Sequence, residues 1–241
     1  MGAEMRRRRA VIVGGAMLAL AALGAVMWAV DPSWGRPGML QAAPAQASGE
    51  PSGIAAAGER AWPPVQHLVR FAAIGDSITY ANSPDFLGGR TGSLSWITYA
   101  VGPDLRFVGG WARGGATTEV MAANAGPEDA DVLAIIAGTN DVARNVPFSV
   151  TAANLEKIVA TVGARRVVVS AIPPRNDNAQ GTEAFNEALE LFVAQRGWTF
   201  VDAVAGVRDG ERYAAGMSDD GVHPSEEGAR IIGTALGQAL M

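Results

Sequence analysis

The sequence predicts an α/β domain over residues 68–241, a parallel sheet covered by helices on both faces. Three observations carry this. Five short apolar runs recur from residue 68 onward, separated by segments with helical spacing or by polar turns. Several of these runs are continuously apolar rather than alternating, as strands buried on both faces are. Strand and helix patterns follow one another in the order that βαβ units require, with right-handed crossovers between parallel strands.

The elements read in order as follows. "LVRFAAI" (68–74) is rich in β-branched and aromatic residues and reads as the first strand, and "SLSWITYAV" (93–101) as a helix. "LRFVGGW" (105–111) is the second strand, followed by a short helix, "TTEVMAANA" (117–125), with threonine at its start. "DVLAIIAG" (131–138) is nearly all apolar and forms the third strand. In "SVTAANLEKIVATVG" (149–163), Val150, Leu155, Ile158, Val159 and Val162 fall near helical spacing, and Gly163 ends the helix. "RRVVVSAI" (165–172) is a fourth strand stopped by Pro173 and Pro174. An amphipathic helix, "TEAFNEALELFVAQRG" (182–197), precedes the fifth strand, "WTFVDAV" (198–204). The last helix, "SEEGARIIGTALGQAL" (225–240), opens with a serine suited to capping it.

Upstream of this domain the chain has a different character. Four arginines, Arg6 to Arg9, precede 21 residues without a charge (10–30), long enough as a helix to span the ~30 Å of a bilayer core. The arginines predict that residues 1–9 stay in the cytoplasm and that the domain lies outside, held by a transmembrane signal-anchor. The alternative is a cleaved signal peptide, for which "AQA" at 45–47 supplies an A-x-A pattern, although an apolar region of this length exceeds the usual one. Residues 31–67, rich in Pro, Ala, Gly and Ser, read as a flexible linker.

Composition excludes several kinds of function. The 241 residues contain no cysteine, so disulfides, thiolate catalysis and cysteine-based zinc sites are ruled out. Residues 1–67 hold six of the chain's 19 basic residues and four of its 24 acids, leaving residues 68–241 with a net charge of −7. A domain that acidic lacks the basic footprint that nucleic-acid binding needs. There are two histidines, His67 and His223, so any imidazole chemistry falls to one of them.

In parallel α/β sheets, ligands gather at the carboxyl ends of the strands. Four polar messages stand at or beyond such ends: Gly75-Asp76-Ser77, "GGWARGGATT" with Gly114 and Gly115, Gly138-Thr139-Asn140-Asp141, and "SDDGVHPSEEG" with Asp220 three residues before His223. Each has a structural explanation as a cap or a turn. Together they supply the parts of acyl transfer. A serine hydroxyl needs a base, imidazole is the usual one, and an acid separated from it by two intervening residues can orient it across a turn. Backbone N–H groups at glycine and the Asn140 amide can donate to a developing oxyanion.

With these four blocks in this order, "GDSI", "GGATT", "GTND" and "DGVHP", residues 68–241 resemble the SGNH, or GDSL-like, hydrolases. The resemblance implies Ser77 as nucleophile, His223 as base and Asp220 as its orienting partner. It implies an oxyanion hole from the N–H groups of Ser77 and Gly115 and the side chain of Asn140. It further implies a flavodoxin-like three-layer sandwich around a five-stranded parallel sheet, with no metal or organic cofactor. Many members have an asparagine upstream of the second-block glycine, where this chain has "GGWARGG", which leaves Gly114 and Gly115 both open as donors. The expected activity is hydrolysis of a carboxylic ester outside the membrane. The short loops favour small acyl groups on a glycan or small molecule. Acyl transfer or thioester hydrolysis by the same triad, and a non-catalytic glycan-binding domain, are the rival readings.

Overall fold

A computed structural model of the protein describes residues 68–241. The expected anchor (10–30), its basic flank (1–9), the linker (31–67) and His67 lie outside the described residues. Among the described residues no helix is long and apolar enough to cross a membrane.

Five strands form a parallel sheet in the order β2-β1-β3-β4-β5: β1 (Val69–Gly75), β2 (Leu105–Ala112), β3 (Val132–Ile136), β4 (Arg166–Ser170) and β5 (Thr199–Val201). The helices are α1 (Ser77–Tyr80), α2 (Ile97–Ala100), α3 (Thr118–Asn124), α4 (Thr139–Ala143), α5 (Phe148–Val162), α6 (Ala179–Gln195) and α7 (Glu226–Leu240). The chain steps from β1 to β2 in one direction and then passes back over β1 to β3. With right-handed crossovers this reversal places α2 on one face and α3, α5 and α6 on the other. The packing agrees: α2 lies against α7, whereas α3 packs on α5 and α5 on α6. The reversal also makes the carboxyl end of β1 the topological switch point, where open α/β sheets form their crevice.

The continuously apolar strands are buried as expected. Phe71 to Ile74 of β1 and all of β3 are fully inaccessible to solvent. Phe71 packs beside Trp96 and Phe107, and the Trp96 indole N–H donates to Thr79 Oγ1 at 3.1 Å, so the buried polar atom of the large ring is satisfied. Helix α5 buries Thr151, Leu155, Ile158 and Val162, a stripe at helical spacing, and ends at Gly163 in the left-handed conformation. Val150, expected on that stripe, is exposed instead. Thr151 takes the inward position because its hydroxyl donates to the buried Asp141 at 2.9 Å. Serine 225 caps α7 by accepting from the Gly228 N–H.

Two expected elements differ, and a hairpin is added. The helix expected over 93–101 is a single turn, Ile97–Ala100, because Gly92 to Trp96 forms turns in which the Ser95 hydroxyl donates to the Thr79 carbonyl. β5 is only three residues long. Beyond it lies a 3-10 turn (Ala205–Val207) and an antiparallel hairpin, β6 (Arg208–Asp209) and β7 (Arg212–Tyr213).

Candidate active site

β1 delivers Gly75, Asp76 and Ser77 at the switch point. A Cβ on Gly75 would lie 2.1 Å from Thr79 Oγ1 and 2.9 Å from the Ile136 carbonyl, so the strand can turn this tightly against β3 only at glycine. Asp76 is completely buried, and its Oδ1 accepts from the Ile78 N–H at 3.0 Å, closing the turn into α1. Ser77 is thereby the first residue of α1, and its hydroxyl faces the crevice.

Ser77 Oγ lies 2.9 Å from His223 Nε2, and His223 Nδ1 lies 2.7 Å from Asp220 Oδ2. Asp220 Oδ1 accepts from the backbone N–H groups of Val222 (2.9 Å) and His223 (2.8 Å). Desolvation tends to raise the Asp220 carboxyl. The hydrogen bonds from the His223 ring and from the two N–H groups outweigh it and hold the group well below the usual carboxylate range. An ionised Asp220 can only accept, so Nδ1 is the protonated nitrogen of a neutral His223 ring. The Nε2 lone pair is then left to receive the Ser77 proton. Both side chains remain about half exposed, so water reaches the group.

The loop carrying Asp220 and His223 is fastened by residues that the sequence reading did not single out. Ser218 Oγ donates to the His223 carbonyl at 2.7 Å and accepts from the Gly221 N–H at 2.9 Å. Tyr213 on β7 donates from its hydroxyl to the Val222 carbonyl at 3.0 Å. Burial raises the Tyr213 phenol, reinforced by the negative charges of Asp220 and Asp76, so it stays a donor. Asn176, just past the end of β4, donates its N–H to the Gly221 carbonyl and accepts from the Tyr213 N–H.

Of the two candidate glycines, Gly114 is the one that stands beside Ser77. Gly114 lines the crevice, and a Cβ there would stand 3.9 Å from the Ser77 Cβ. Gly115 is exposed, adopts a left-handed φ of +73°, and its carbonyl accepts from Arg144 at 3.1 Å. Neither the Ser77 nor the Gly115 N–H donates to another described residue. Asn140 is held by the turn at Gly138, whose φ of +131° and approach to the Phe185 ring admit no side chain. Its Nδ2 is already engaged, donating to the Ala116 carbonyl at 3.0 Å and to Asp76 Oδ2 at 3.3 Å. The neighbouring Asp141 is buried and accepts from Thr118 N, Thr118 Oγ1 and Thr151 Oγ1, which ties this turn to α3 and α5.

Burial pushes the Asp76 carboxyl up to about 6 from its ordinary 3.8, opposed in part by the Ile78 N–H, the nearby His223 ring and the Thr139 hydroxyl. A carboxyl raised in the folded state stabilises fully below its unfolded value and loses that contribution as pH rises through the folded one. Asp76 should therefore cost stability progressively between about pH 4 and pH 6, by roughly 3 kcal/mol in all. Asn at this position cannot titrate. The Tm of Asp76→Asn relative to wild type is expected to climb across that interval, and a constant difference would contradict the assignment.

The crevice is a cleft of about 440 Å³ whose wall beyond Ser77 and His223 is mostly apolar, formed by Tyr80, Ala81, Leu94 and Pro224. A second cleft, about 200 Å³, lies between α6 and the ends of β4 and β5, is lined by Glu183, Glu187 and Glu190, and contains none of the Ser77 group. Among the described residues, no set of three His, Cys, Asp or Glu side chains is arranged to hold a metal ion.

The family model for GDSL-like lipases and acylhydrolases matches residues 73–231, a stretch that contains Ser77, Asn140 and His223. The chain belongs to this family. As a GDSL-like acylhydrolase it is an ester-hydrolysing enzyme. Solved structures of the same fold include a GDSL-like lipase from Bacteroides thetaiotaomicron, 20% identical, covering 73% of this chain and 90% of that one with a TM-score of 0.55. A lipase/acylhydrolase from Enterococcus faecalis is 17% identical over 71% of this chain and 95% of its own, TM-score 0.55. A catalytic mutant of the acetylxylan esterase Axe2 from Geobacillus stearothermophilus is 19% identical over 72% and 94%, TM-score 0.53. At these identities the likeness is one of fold. No curated protein matches the chain in sequence.

Proposed function

We propose that this GDSL-like hydrolase is an extracytoplasmic serine esterase that removes short acyl groups from a glycan or small molecule. Ser77 Oγ attacks the ester carbonyl carbon while His223 Nε2 takes its proton. Asp220 stabilises the imidazolium that results. The carbonyl oxygen becomes an oxyanion, met by the Ser77 N–H, a second-block glycine N–H and Asn140 Nδ2. Collapse of the intermediate breaks the bond to the alcohol, which leaves with the proton from His223. Water, activated by the same imidazole, then attacks the acyl-serine and releases the acid.

The observation that carries this reading is the hydrogen-bonded series from Ser77 Oγ through His223 to Asp220, with Nε2 left as acceptor. Half-exposure of the Asp220 and His223 side chains favours water as the acyl acceptor. The exposed Tyr80 ring on the cleft wall suits an acyl group carried on a sugar ring. Location outside the membrane rests on the arginines before the apolar segment 10–30.

The test is an ester panel on washed membranes of cells making the full chain: p-nitrophenyl esters of graded length, acetylated glycans and an acyl thioester. Acetyl and butyryl esters should give the highest kcat/KM, with the activity sedimenting with membranes and accessible to a substrate that does not enter cells. Preference for dodecanoyl esters would refute the short-acyl assignment. Transfer to added sugar without hydrolysis would make the enzyme an acyltransferase. Soluble mature protein beginning near Ser48 would replace the anchor with a cleaved signal.

A further inference from the structure

Asp76 takes no part in the proton transfer from Ser77 to His223, yet it is a fully buried carboxylate directly before the nucleophile. Capping the turn into α1 uses only Oδ1, which accepts from Ile78 N, and an uncharged serine or asparagine serves a cap equally well. The second oxygen and the cost of burying the charge are left unexplained by that role. Oδ2 is occupied by Asn140 Nδ2 at 3.3 Å, while the same nitrogen donates to the Ala116 carbonyl at 3.0 Å. An amide nitrogen has two hydrogens, and both are therefore engaged, with none free for an oxyanion. The two bonds are unequal, and the one to Asp76 lies beyond the usual range for an N–H···O bond. It is the one that can be given up. Beside it, the hydroxyl of Thr139 is buried without a full hydrogen-bond partner and close enough to influence the same carboxylate. That hydroxyl can supply the carboxylate when the amide N–H departs.

We propose that Asp76 is a positioning residue for Asn140: its carboxylate accepts one amide N–H in the resting enzyme and yields it to the oxyanion as the tetrahedral intermediate forms. The inference rests on the reading of Asn140 as an oxyanion donor. A carboxylate is required because both of its oxygens face N–H groups. Asparagine at this position can accept from Ile78 N or from Asn140 Nδ2, and must turn an NH₂ against the other.

The test is a double-mutant cycle, with kcat and KM for p-nitrophenyl acetate measured per folded molecule. Asp76→Asn and Asp76→Ser are each made alone and with Asn140→Ala. The serine keeps the cap on Ile78 but does not reach Asn140, so it carries the test if the asparagine variant folds poorly. Each single Asp76 variant should lose about tenfold or more in kcat with little change in KM, as expected when the amide that must meet the oxyanion is no longer held in place for the transition state. In the Asn140→Ala background the same replacement should cost less than about twofold, because the residue it acts through is gone. An equal loss in both backgrounds, or wild-type kcat in the single variants, would overturn the proposal. Fluorophosphonate labelling of wild-type Ser77 in the same preparations keeps the two readings apart. Unlabelled Ser77 defeats the triad itself, whereas labelled Ser77 with independent losses defeats only the role of Asp76.

Discussion

Replacement of His223 by alanine is expected to lower kcat by about 10⁴-fold or more, since it removes the only base within reach of Ser77. The geometry is specific about why. Asp220 accepts three N–H groups and stays ionised, which holds the ring N–H on Nδ1 and leaves Nε2, 2.9 Å from the serine hydroxyl, as the position that receives the proton. His67, the other histidine of the chain, precedes the domain, and His67→Ala should turn over at the wild-type rate. Because Ser77 and His223 act as a unit, removing both should cost little more than removing either. Losses that multiply in the double variant would show that the two side chains do not share one proton transfer.

Asn140→Ala should lower kcat by roughly 10²–10³, or about 2.7–4 kcal/mol, with little change in KM, as for the loss of one oxyanion donor. The Asn140 amide also has a structural part. It satisfies the Ala116 carbonyl, so its loss should lower stability by about 1 kcal/mol in addition. Measuring kcat per folded molecule alongside thermal unfolding separates the two contributions. A variant that melts earlier yet turns over normally when folded would reduce Asn140 to a turn residue. Ser77 should still react with a fluorophosphonate in this variant, more slowly, since the nucleophile and its base remain.

The sheet was legible in the sequence because its strands are buried on both faces and so appear as unbroken apolar runs, of which "DVLAIIAG" is the plainest. The longer helices α5, α6 and α7 were legible from spacing and from Gly163 and Ser225 at their ends. The short elements α1, α4, β6 and β7 were not, since they carry neither an unbroken apolar run nor enough residues to express a period. The Asp209-Gly210 pair was the one local sign of the β6–β7 hairpin. The four polar blocks could be found because they sit at or beyond strand ends, and the structure brings Ser77, Asp220 and His223 into one hydrogen-bonded series. Asn176, Tyr213 and Ser218 stayed hidden for a physical reason. Each acts through a contact with the 221–223 backbone that depends on the fold and leaves no pattern in the chain around it. The same holds for Asp76, whose second oxygen meets Asn140, 64 positions away in the chain.

In this mechanism Ser77 is the residue that carries the acyl group. Treating the full chain with a fluorophosphonate and mapping the adduct by mass spectrometry tests it. One adduct is expected, on Ser77, forming in step with loss of esterase activity, greatly slowed in His223→Ala and absent in Ser77→Ala. An enzyme that hydrolyses p-nitrophenyl acetate but remains unlabelled at Ser77, or carries the adduct elsewhere when it is inactivated, would contradict the mechanism.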